Sequence, residues 1–395
     1  MTVPTVWHIL TGEYPPDYGG VADYTAIIAK ELAASSCEVH IWCPGEPATQ
    51  IAGSSIVHRL RGGFRPASLL ALSRHLSRFA GPRHLLVQYV PHAFGMKSLN
   101  VPFCVWLWWR RVRHGDRVRV MFHEVSVPFV WRPLIWNLSA FVHRAMAFIL
   151  LRAATQIDVS TPVWLRVLRG CGFGRRTATV VPIPSTIPYV DNPVAVDAVR
   201  KGILKGEGGA KIVGHFGTYG TLITELLTPI LLGLLDAEPE VRVLLIGGGG
   251  EAFRQQFLVQ YPQFASRITA TGRLSAMEIS ISLQACDAMV QPYPDGASGR
   301  RTSLTATIAN GVPTVSTTGP ATEPYWQESG LIALVPIGDA VAFIDATRNA
   351  MHATHRESLR AFYRTQFDVS LAIRALQTPT SQGKTRSSVR GLRQP

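Results

Sequence analysis

Two adjacent arginines lie in the segment of the chain that is best equipped for chemistry, DGASGRRTSLTATIANG, residues 295–311. A glycine-rich loop that begins at Asp295 leads through Arg300 and Arg301 into a predicted helix. Arginine binds phosphate oxygens through paired N–H groups, and a helix N-terminus adds backbone N–H donors. The side chains that could assist are Ser303 and Arg273. The segment predicts a phosphate site; the alternative, an exposed arginine pair, leaves the glycines and the helix start unexplained.

Loops that contain glycine follow predicted strands in both halves of the chain. Gly19 and Gly20 separate the first strand from its helix, and Gly217 and Thr218 occupy the matching place in the second half. Glycine lets a backbone approach a ligand closely, and the helix start behind it offers free N–H groups. Both loops are therefore candidate phosphate sites, although each could also be a tight turn. The run 247–250 fits no nucleotide-binding motif and is interpreted as a permissive loop.

His123 is the candidate acid–base residue because it directly follows a predicted strand. Histidine near its ordinary pKa can exchange a proton with a sugar hydroxyl or form a hydrogen bond to it. Most isolated histidines are structural, and the strand-end position is what distinguishes this one. The chain has no DxD triplet, HExxH motif or His/Cys cluster. We expect no essential metal and no cofactor.

Short apolar strands alternate with amphipathic helices along the whole chain, which predicts an α/β fold with doubly wound sheets. A stretch with four prolines, residues 182–193, resembles a stiff connection between two halves that repeat this pattern. Two Rossmann-like domains would then face each other across a cleft that holds the ligand. The predicted divisions are 1–185 for the N-terminal, acceptor-side domain, 186–210 for the linker, 211–355 for the nucleotide-binding domain, 356–377 for a closing C-terminal helix and 378–395 for a disordered basic tail.

The composition restricts the class of protein. A chain of 395 residues with 47% hydrophobic residues suits two domains with sizeable cores. Five widely spaced cysteines without a CxxC motif argue against a disulfide framework or a zinc site and favour a reducing compartment. The sequence shows neither a signal peptide nor an apolar run long enough to span a bilayer. We expect a cytoplasmic protein, soluble or peripheral on the inner face of a membrane.

The net charge of +13 indicates an anionic partner. Residues 101–152 include eight arginines and five tryptophans, and VWLWWRRVRHG resembles an interfacial helix that meets anionic lipid. The alternative is that the tryptophans are core and the arginines form a solvated face. The basic residues accompany no nucleic-acid-binding motif, so nucleic acid is not expected as a partner. The basic residues of the segment are Arg110, Arg111, Arg113, Arg117, Arg119, Arg132, Arg144 and Arg152, and its tryptophans are Trp106, Trp108, Trp109, Trp131 and Trp136.

The chain resembles the family-4 retaining glycosyltransferases of the GT-B fold in the order of several motifs. They are EYPPDYGGVADYT, VMFHE, VGHFGTYG, VRVLLIGGGG, TGRLS, ACDAMVQPYPDGAS and ANGVPTVSTTGPATE, and they cover all but about the last 25 residues. The resemblance implies a nucleotide-sugar donor in the C-terminal domain, an acceptor in the N-terminal domain, and retention at the anomeric carbon. It implies that Gly20 approaches the donor diphosphate and that His123 lies near the reacting sugar. It also implies that Gly217 belongs to the diphosphate loop and that Glu323 is the acid beside a glycine pair.

The chain departs from that family at its most specific motif. Family members carry two glutamates in an E-x7-E pattern, and Ser298 and Ala306 occupy those positions here. The loop after Gly217 also lacks the usual arginine and lysine. Our hypothesis is that Arg300 and Arg301 replace the missing charge and that Asp295 takes over one glutamate's contact with the sugar.

Three interpretations follow. The first is a metal-independent sugar transferase with a lipid-linked or polysaccharide-pathway acceptor. The second is a sugar-nucleotide epimerase of the same fold, which would need more carboxylates and histidines than the sequence clearly offers. The third is a catalytically degenerate regulatory homologue at the membrane, which the missing glutamates would explain.

Overall fold

The chain forms two compact units in the computed structural model, which describes residues 5–378 apart from 18, 128, 130–135, 175 and 207. The first unit comprises the residues up to Val181 and the segment that begins at Val369, and the second comprises Pro182–Asp368. The basic tail that the sequence predicts to be disordered falls, from residue 379 on, outside the described residues. Trp131 and Arg132 of the arginine- and tryptophan-rich segment 101–152 also lie outside the described residues.

The first unit is built on a mixed sheet of eight strands. The strands are β1 (Val6–Thr11), β2 (Glu38–Pro44), β3 (Ala48–Ala52), β4 (Ser55–Leu60), β5 (His84–Tyr89), β6 (Arg117–Phe122), β7 (Gln156–Val159) and β8 (Thr179–Val180), and the helices are α1 (Gly20–Ala34), α2 (Pro66–Leu76), α3 (Val101–His114), α4 (Trp136–Ala153) and α5 (Pro162–Gly170). The sheet order is β3-β4-β2-β1-β5-β6-β7-β8, and only the β3–β4 pair is antiparallel. The order reverses between β1 and β5, where doubly wound sheets place ligands.

The second unit repeats this architecture with six parallel strands. The strands are β9 (Lys211–Phe216), β10 (Val241–Ile246), β11 (Ile268–Ala270), β12 (Ala288–Gln291), β13 (Thr314–Thr318) and β14 (Ala333–Pro336), and the helices are α6 (Pro193–Leu204), α7 (Thr221–Ala237), α8 (Gly250–Gln260), α9 (Ala276–Gln284), α10 (Thr302–Ala309), α11 (Pro324–Ser329), α12 (Ala340–Ala350) and α13 (Arg356–Gln366). The order β11-β10-β9-β12-β13-β14 is that of a Rossmann sheet, with its reversal between β9 and β12. The predicted α/β class with two Rossmann-like sheets is confirmed.

The two faces of each sheet are covered because parallel strands are apolar on both sides. In the first unit, Leu10, Val87, Tyr89 and Phe122 share one buried cluster with α2, α3 and α4. Successive side chains of a strand point to opposite faces of the sheet. Thr11 and the residue paired with it on β5 therefore point toward the other face, which α1 covers.

Two connecting segments differ from the sequence expectation. The stretch predicted as a linker, 186–210, contains α6, a helix that begins at Pro193 with Asn192 as its side-chain cap. Proline suits the first position of a helix because its missing N–H would have no intrahelical partner there. The stretch 356–377 is not one helix: α13 ends at Gln366, and α14 (Val369–Gln377) returns to the first unit, where Arg119 donates hydrogen bonds to the carbonyl oxygens of Ala375 and Leu376.

Part of the tryptophan–arginine segment is core rather than interface. Trp106 is buried and donates a hydrogen bond to the Ser73 hydroxyl. Arg110 is fully buried and paired with Asp116, which also accepts from Arg83. Arg119 is likewise buried and holds Asp158. Charges that are taken out of water need such partners, so these arginines stabilise the fold and cannot contact lipid.

Candidate functional site

The loops at the carboxyl edge of the second sheet pack backbone against backbone. A side chain at Gly247, whose φ is +118°, would place its Cβ 2.6 Å from the Gly217 carbonyl oxygen. A Cβ at Gly249 would lie 2.8 Å from the Thr218 carbonyl oxygen. The glycines after β10 are therefore required by this close approach, which fixes the loop after β9 beside the point where the strand order reverses.

Several of the helices that begin at this edge have no side-chain cap. α7, α8 and α10 each begin without a side-chain cap among the described residues. By contrast, α9 begins with a capping box formed by Ser275 and Glu278, and Asp339 caps α12. The first N–H groups of a helix have no partner within the helix, so an uncapped start can donate to an anion.

Arg300 and Arg301 share one carboxylate in the loop that precedes α10. Arg300 pairs with one oxygen of Asp295 at 2.5 Å, and Arg301 pairs with the other oxygen. The Arg301 guanidinium also lies over the ring of Tyr293, 4.8 Å from its centre. Burial alone would raise the pKa of the Asp295 carboxyl, but Arg301 and Arg300 outweigh it and hold that pKa below its ordinary value. The cluster carries one net positive charge.

This pairing changes the predicted roles of the three residues. The sequence predicts arginines that face a diphosphate and an aspartate that faces a sugar, whereas the structure shows both arginines bound to the aspartate. Asp295 is held on the backbone side as well, because its carbonyl oxygen accepts from the Ala321 amide at 2.9 Å. The Nε of Arg301 is buried and has no hydrogen-bond partner among the described residues. The cluster therefore retains an unused donor although its carboxylate is fully engaged.

Ser303 and Glu323, two other predicted site residues, are held by local hydrogen bonds. The Ser303 hydroxyl lies 2.8 Å from that of Tyr293. Glu323 is buried, and its carboxylate accepts from the Gly299 amide and from the Trp326 indole, each at 3.1 Å. The structure therefore shows Glu323 shaping the loop before Arg300.

Three further positions of the second unit that the sequence singles out are Arg273, Ser298 and Ala306. Arg273 lies across the glycine loop after β10, since a Cβ at Gly248 would meet its Cγ at 3.0 Å. Ser298 and Ala306, which occupy the positions of the family glutamates, are both fully buried. The hydroxyl of Ser298 has no partner among the described residues.

Two polar side chains that the sequence analysis missed lie beside the strand reversal. The His215 ring lies 2.7 Å from the Val290 carbonyl oxygen through Nδ1, and its Nε2 has no partner within the described chain. The Gln291 amide donates to the Phe216 carbonyl oxygen at 3.1 Å, and its Oε1 likewise lacks a partner. Burial lowers the pKa of His215 to about 4, so the ring is a neutral acceptor. Polar residues in otherwise apolar strands were the signal that could have identified both.

In the first unit, a carboxylate occupies the helix start that the sequence assigns to a ligand. Glu13 accepts from the Ala22 amide at 3.2 Å, near the start of α1. A Cβ at Gly19 would lie 2.3 Å from Oε1 of Glu13, whereas a Cβ at Gly20 would meet nothing within 4 Å. Gly19 is therefore needed to admit Glu13, whereas Gly20 faces open space.

His123 directly follows β6, as predicted, and is enclosed by two residues of the first unit. Its Nε2 lies 2.7 Å from Oε1 of Gln88, and the ring of Tyr24 meets it edge-on at 4.9 Å. Burial lowers the pKa of His123 to about 3. A neutral imidazole in this position can orient a hydroxyl by hydrogen bonding but would be a weak base.

No group of three or more His, Cys, Asp or Glu side chains that could hold a metal ion occurs among the residues with described positions. The five cysteines have free thiols.

Comparisons with known proteins agree with this architecture. Residues 218–353 match the family model described as glycosyl transferases group 1. A search of curated proteins found no match. Among solved structures, sucrose-phosphate synthase from Thermosynechococcus elongatus is 16% identical with a TM-score of 0.68, and 94% of this chain aligns with 98% of that one.

Two other solved structures have the same coverage, 94% of this chain and 98% of theirs. Anabaena Alr3699/HepE in complex with UDP and glucose is 13% identical with a TM-score of 0.66. WaaG, a glycosyltransferase involved in lipopolysaccharide biosynthesis, is 14% identical with a TM-score of 0.61. The chain has the GT-B fold, and residues 218–353 of its second unit match the group 1 glycosyl transferase model.

Proposed function

We propose that the protein transfers a sugar from a nucleotide-sugar donor to an acceptor. The observation that supports this most strongly is the edge of the second sheet, where α7, α8 and α10 begin without side-chain caps and Arg300 and Arg301 directly precede α10. Such an edge supplies backbone N–H groups and guanidinium groups, which together suit a diphosphate. The similar structures of HepE hold UDP, UDP-glucose, or UDP with glucose, which makes a UDP-sugar the first donor to try.

The donor diphosphate takes the place of the Asp295 carboxylate on the two arginines. Arg300 and Arg301 then stabilise the negative charge that develops as the diphosphate leaves, and the uncapped helix starts add to this. This role would make a divalent metal unnecessary. The released Asp295 carboxylate becomes available to a sugar hydroxyl or to the positive charge that develops at the anomeric carbon.

The transfer proceeds with retention. The bond between the anomeric carbon and the diphosphate oxygen breaks, and the acceptor oxygen forms its new bond on the same face of the sugar. The acceptor's proton passes to the departing diphosphate. His123 is neutral, so its part is to orient a hydroxyl rather than to take up that proton.

A membrane is the proposed location of the acceptor. In α3, Val105, Trp108, Trp109 and Val112 are exposed at the spacing of one helix face, and Leu138, Phe141 and Phe148 are exposed in the adjoining α4. Exposed aromatic side chains together with arginines suit an anionic lipid surface. No helix of the described residues is long and apolar enough to cross a bilayer. We therefore propose peripheral binding at the inner face of a membrane and a lipid-linked acceptor.

A second candidate function is binding of a nucleotide sugar without transfer. It is favoured by the replacement of the family glutamates with Ser298 and Ala306, both of which are buried and uncharged. Such a protein would act as a regulatory partner at the membrane.

The experiment that tests the proposed function is a thermal-shift panel of UDP-, GDP- and ADP-sugars followed by product analysis. A ligand present at about a hundred times its Kd stabilises the folded state by about 2.7 kcal/mol, so the right donor raises the melting temperature. Incubation of that donor with a lipid extract then yields a glycosylated lipid if the protein is a transferase. Binding without a product would favour the regulatory function, and the absence of any stabilising nucleotide sugar would overturn both.

A further inference from the structure

We propose that Gln88 is a second sugar-binding residue of the first unit: it fixes His123 in one tautomer and offers its own amide N–H to a ligand hydroxyl. The inference deepens the proposed function, on which it rests for the identity of the ligand as a sugar. Gln88 belongs to none of the motifs that led to the GT-B assignment.

Gln88 lies near the end of β5, in register with Thr11 of β1, at the reversal of the strand order. Its Oε1 is 2.7 Å from Nε2 of His123. An amide oxygen only accepts, so the ring carries its proton on Nε2 and presents a lone pair on Nδ1. The partner of one ring nitrogen thus determines what the other nitrogen can do.

The amide nitrogen of Gln88 is the feature that points to a ligand. Gln88 is fully buried, and its Nε2 has no hydrogen-bond partner among the described residues. A buried donor without a partner costs about 1–3 kcal/mol. If the amide were flipped, its nitrogen would face His123 and its oxygen would have no partner. In either orientation one polar atom of the buried amide therefore lacks a hydrogen bond.

Neighbouring residues hold the side chains of Gln88 and His123 in place. Tyr24 is buried and meets the His123 ring edge-on at an interplanar angle of 75°. The backbone amide of His123 donates to the Tyr89 carbonyl oxygen at 3.0 Å, which joins the end of β6 to the end of β5. With the ring and the amide both fixed, the acceptor on Nδ1 and the donor on Gln88 keep constant positions.

The chemistry of this pair selects the class of ligand. An acceptor and a donor without net charge match hydroxyl groups, which both donate and accept. A phosphate would present only acceptors to the lone pair on Nδ1. The ring stays neutral through physiological pH because burial lowers the pKa of His123 to about 3. A hexose hydroxyl is thus the expected partner.

The first test observes the imidazole directly. The protein is labelled with ¹⁵N-histidine, and long-range ¹H–¹⁵N spectra are recorded for the wild type, Gln88→Leu and Gln88→Glu, with His123→Gln to assign the signal. The wild-type ring should be neutral with its proton on Nε2. In Gln88→Leu the fixed tautomer should be lost, and in Gln88→Glu the new carboxylate should raise the pKa of His123 by about 1–3 pH units.

Gln255→Leu is the matched control, because Gln255 lies on α8 of the second unit and its side chain donates to the exposed Glu251 side chain. Its His123 signal should be that of the wild type. An unchanged tautomer in Gln88→Leu, with the fold intact by circular dichroism, would overturn the positioning role.

The second test uses D-glucose as the probe and separates this inference from the proposed function. Addition of millimolar glucose should shift both the His123 ring signals and the Gln88 side-chain amide signals in the wild type, and Gln88→Leu should bind glucose at least tenfold more weakly. UDP binding is measured in parallel. If UDP binds while glucose leaves both signals unchanged, the ligand role of Gln88 fails and the donor site stands. If UDP does not bind but the tautomer test succeeds, the proposed function fails and the positioning of His123 stands.

Discussion

Asp295 holds Arg300 and Arg301 together in the second unit, and its carboxylate competes with an anionic ligand for the N–H groups that it occupies. The pairing keeps two guanidinium groups close to each other in the absence of a ligand, where they would otherwise repel. When an anionic ligand takes the place of the Asp295 carboxylate on the two arginines, one ion pair is lost and another is formed. The affinity for the ligand is then the difference between two strong interactions.

Replacing Asp295 with asparagine should therefore strengthen UDP binding. A carboxylate about 5 Å from a diphosphate charge opposes it by about 3 kcal/mol at an effective dielectric constant of 20, so a gain on the order of tenfold or more is expected. Transfer activity should fall at the same time if the released carboxylate faces the sugar. The measurement is isothermal titration calorimetry with UDP, combined with turnover of the donor.

Asp345→Asn is the control for this prediction. Asp345 is an exposed aspartate that is also paired with an arginine, Arg348, and lies in the same unit. Exposed pairs contribute little, so UDP affinity should be unchanged in this variant. Weaker UDP binding in Asp295→Asn would contradict the displacement of its carboxylate.

At the scale of elements, α3 serves two purposes with two faces. Phe103, Cys104 and Leu107 of α3 pack into the core of the first unit. Trp108, Trp109 and Val112 are exposed, which is unusual for so many large apolar side chains on one helix. The buried pairing of Arg110 with Asp116 fixes the rotation of the helix and so determines which face is exposed.

The double variant Trp108→Glu/Trp109→Glu should lose binding to anionic vesicles. Two exposed tryptophans can each contribute about 1.5–3 kcal/mol when they enter an apolar layer, so the loss should be at least tenfold. The measurement is flotation with vesicles of phosphatidylcholine and phosphatidylglycerol at physiological salt. Val259→Glu, which alters a valine on α8 of the second unit that is more exposed than either tryptophan, is the control and should float like the wild type. Equal flotation of all three proteins would contradict the proposed membrane face.

The sequence predicts well those elements that are marked by residues close together in the chain. Apolar runs such as the one in β6 predicted parallel strands, and His123 was identified because it follows such a strand. The prolines predict an irregular linker where α6 lies, although Pro193 stands where a helix accepts proline. The pattern alone could not distinguish these two cases.

Residues whose roles depend on distant partners could not be predicted. Arg119 was counted with the membrane-facing arginines, but its partner Asp158 lies 39 positions away in the sequence. Glu13 covers the start of α1 only because the loop folds back over Gly19. Gln88 carries no charge and belongs to no motif, so only the fold reveals that it meets His123.

At the scale of the whole molecule, both units bury neutral histidines. Burial lowers the pKa of His8 to about 3 in the first unit and that of His215 to about 4 in the second. An unfolded histidine has a pKa of about 6.5. Below that value the unfolded chain takes up protons that the folded chain does not, so the free energy of unfolding falls as the pH falls.

The melting temperature should accordingly decrease between about pH 7 and about pH 5, a range that lies mostly above the titration of carboxylates. His8→Leu should show a weaker dependence on pH than the wild type, because one buried neutral imidazole has been removed. The exposed His352 provides the control, His352→Leu, whose pH dependence should match that of the wild type. A melting temperature that does not change over this range would contradict the prediction. The measurement is differential scanning calorimetry.

The central claim is that the second unit binds a diphosphate through Arg300 and Arg301. The most direct measurement is calorimetric titration of UDP into the wild type, the double variant Arg300→Ala/Arg301→Ala, and the control Arg364→Ala, which removes an exposed arginine of α13 that pairs with Glu357. Hydrogen bonds to charged groups contribute about 1.5–3 kcal/mol each, so the double variant should bind UDP at least about a hundredfold more weakly while the control binds normally. UDP affinity that is the same in all three proteins would contradict the account.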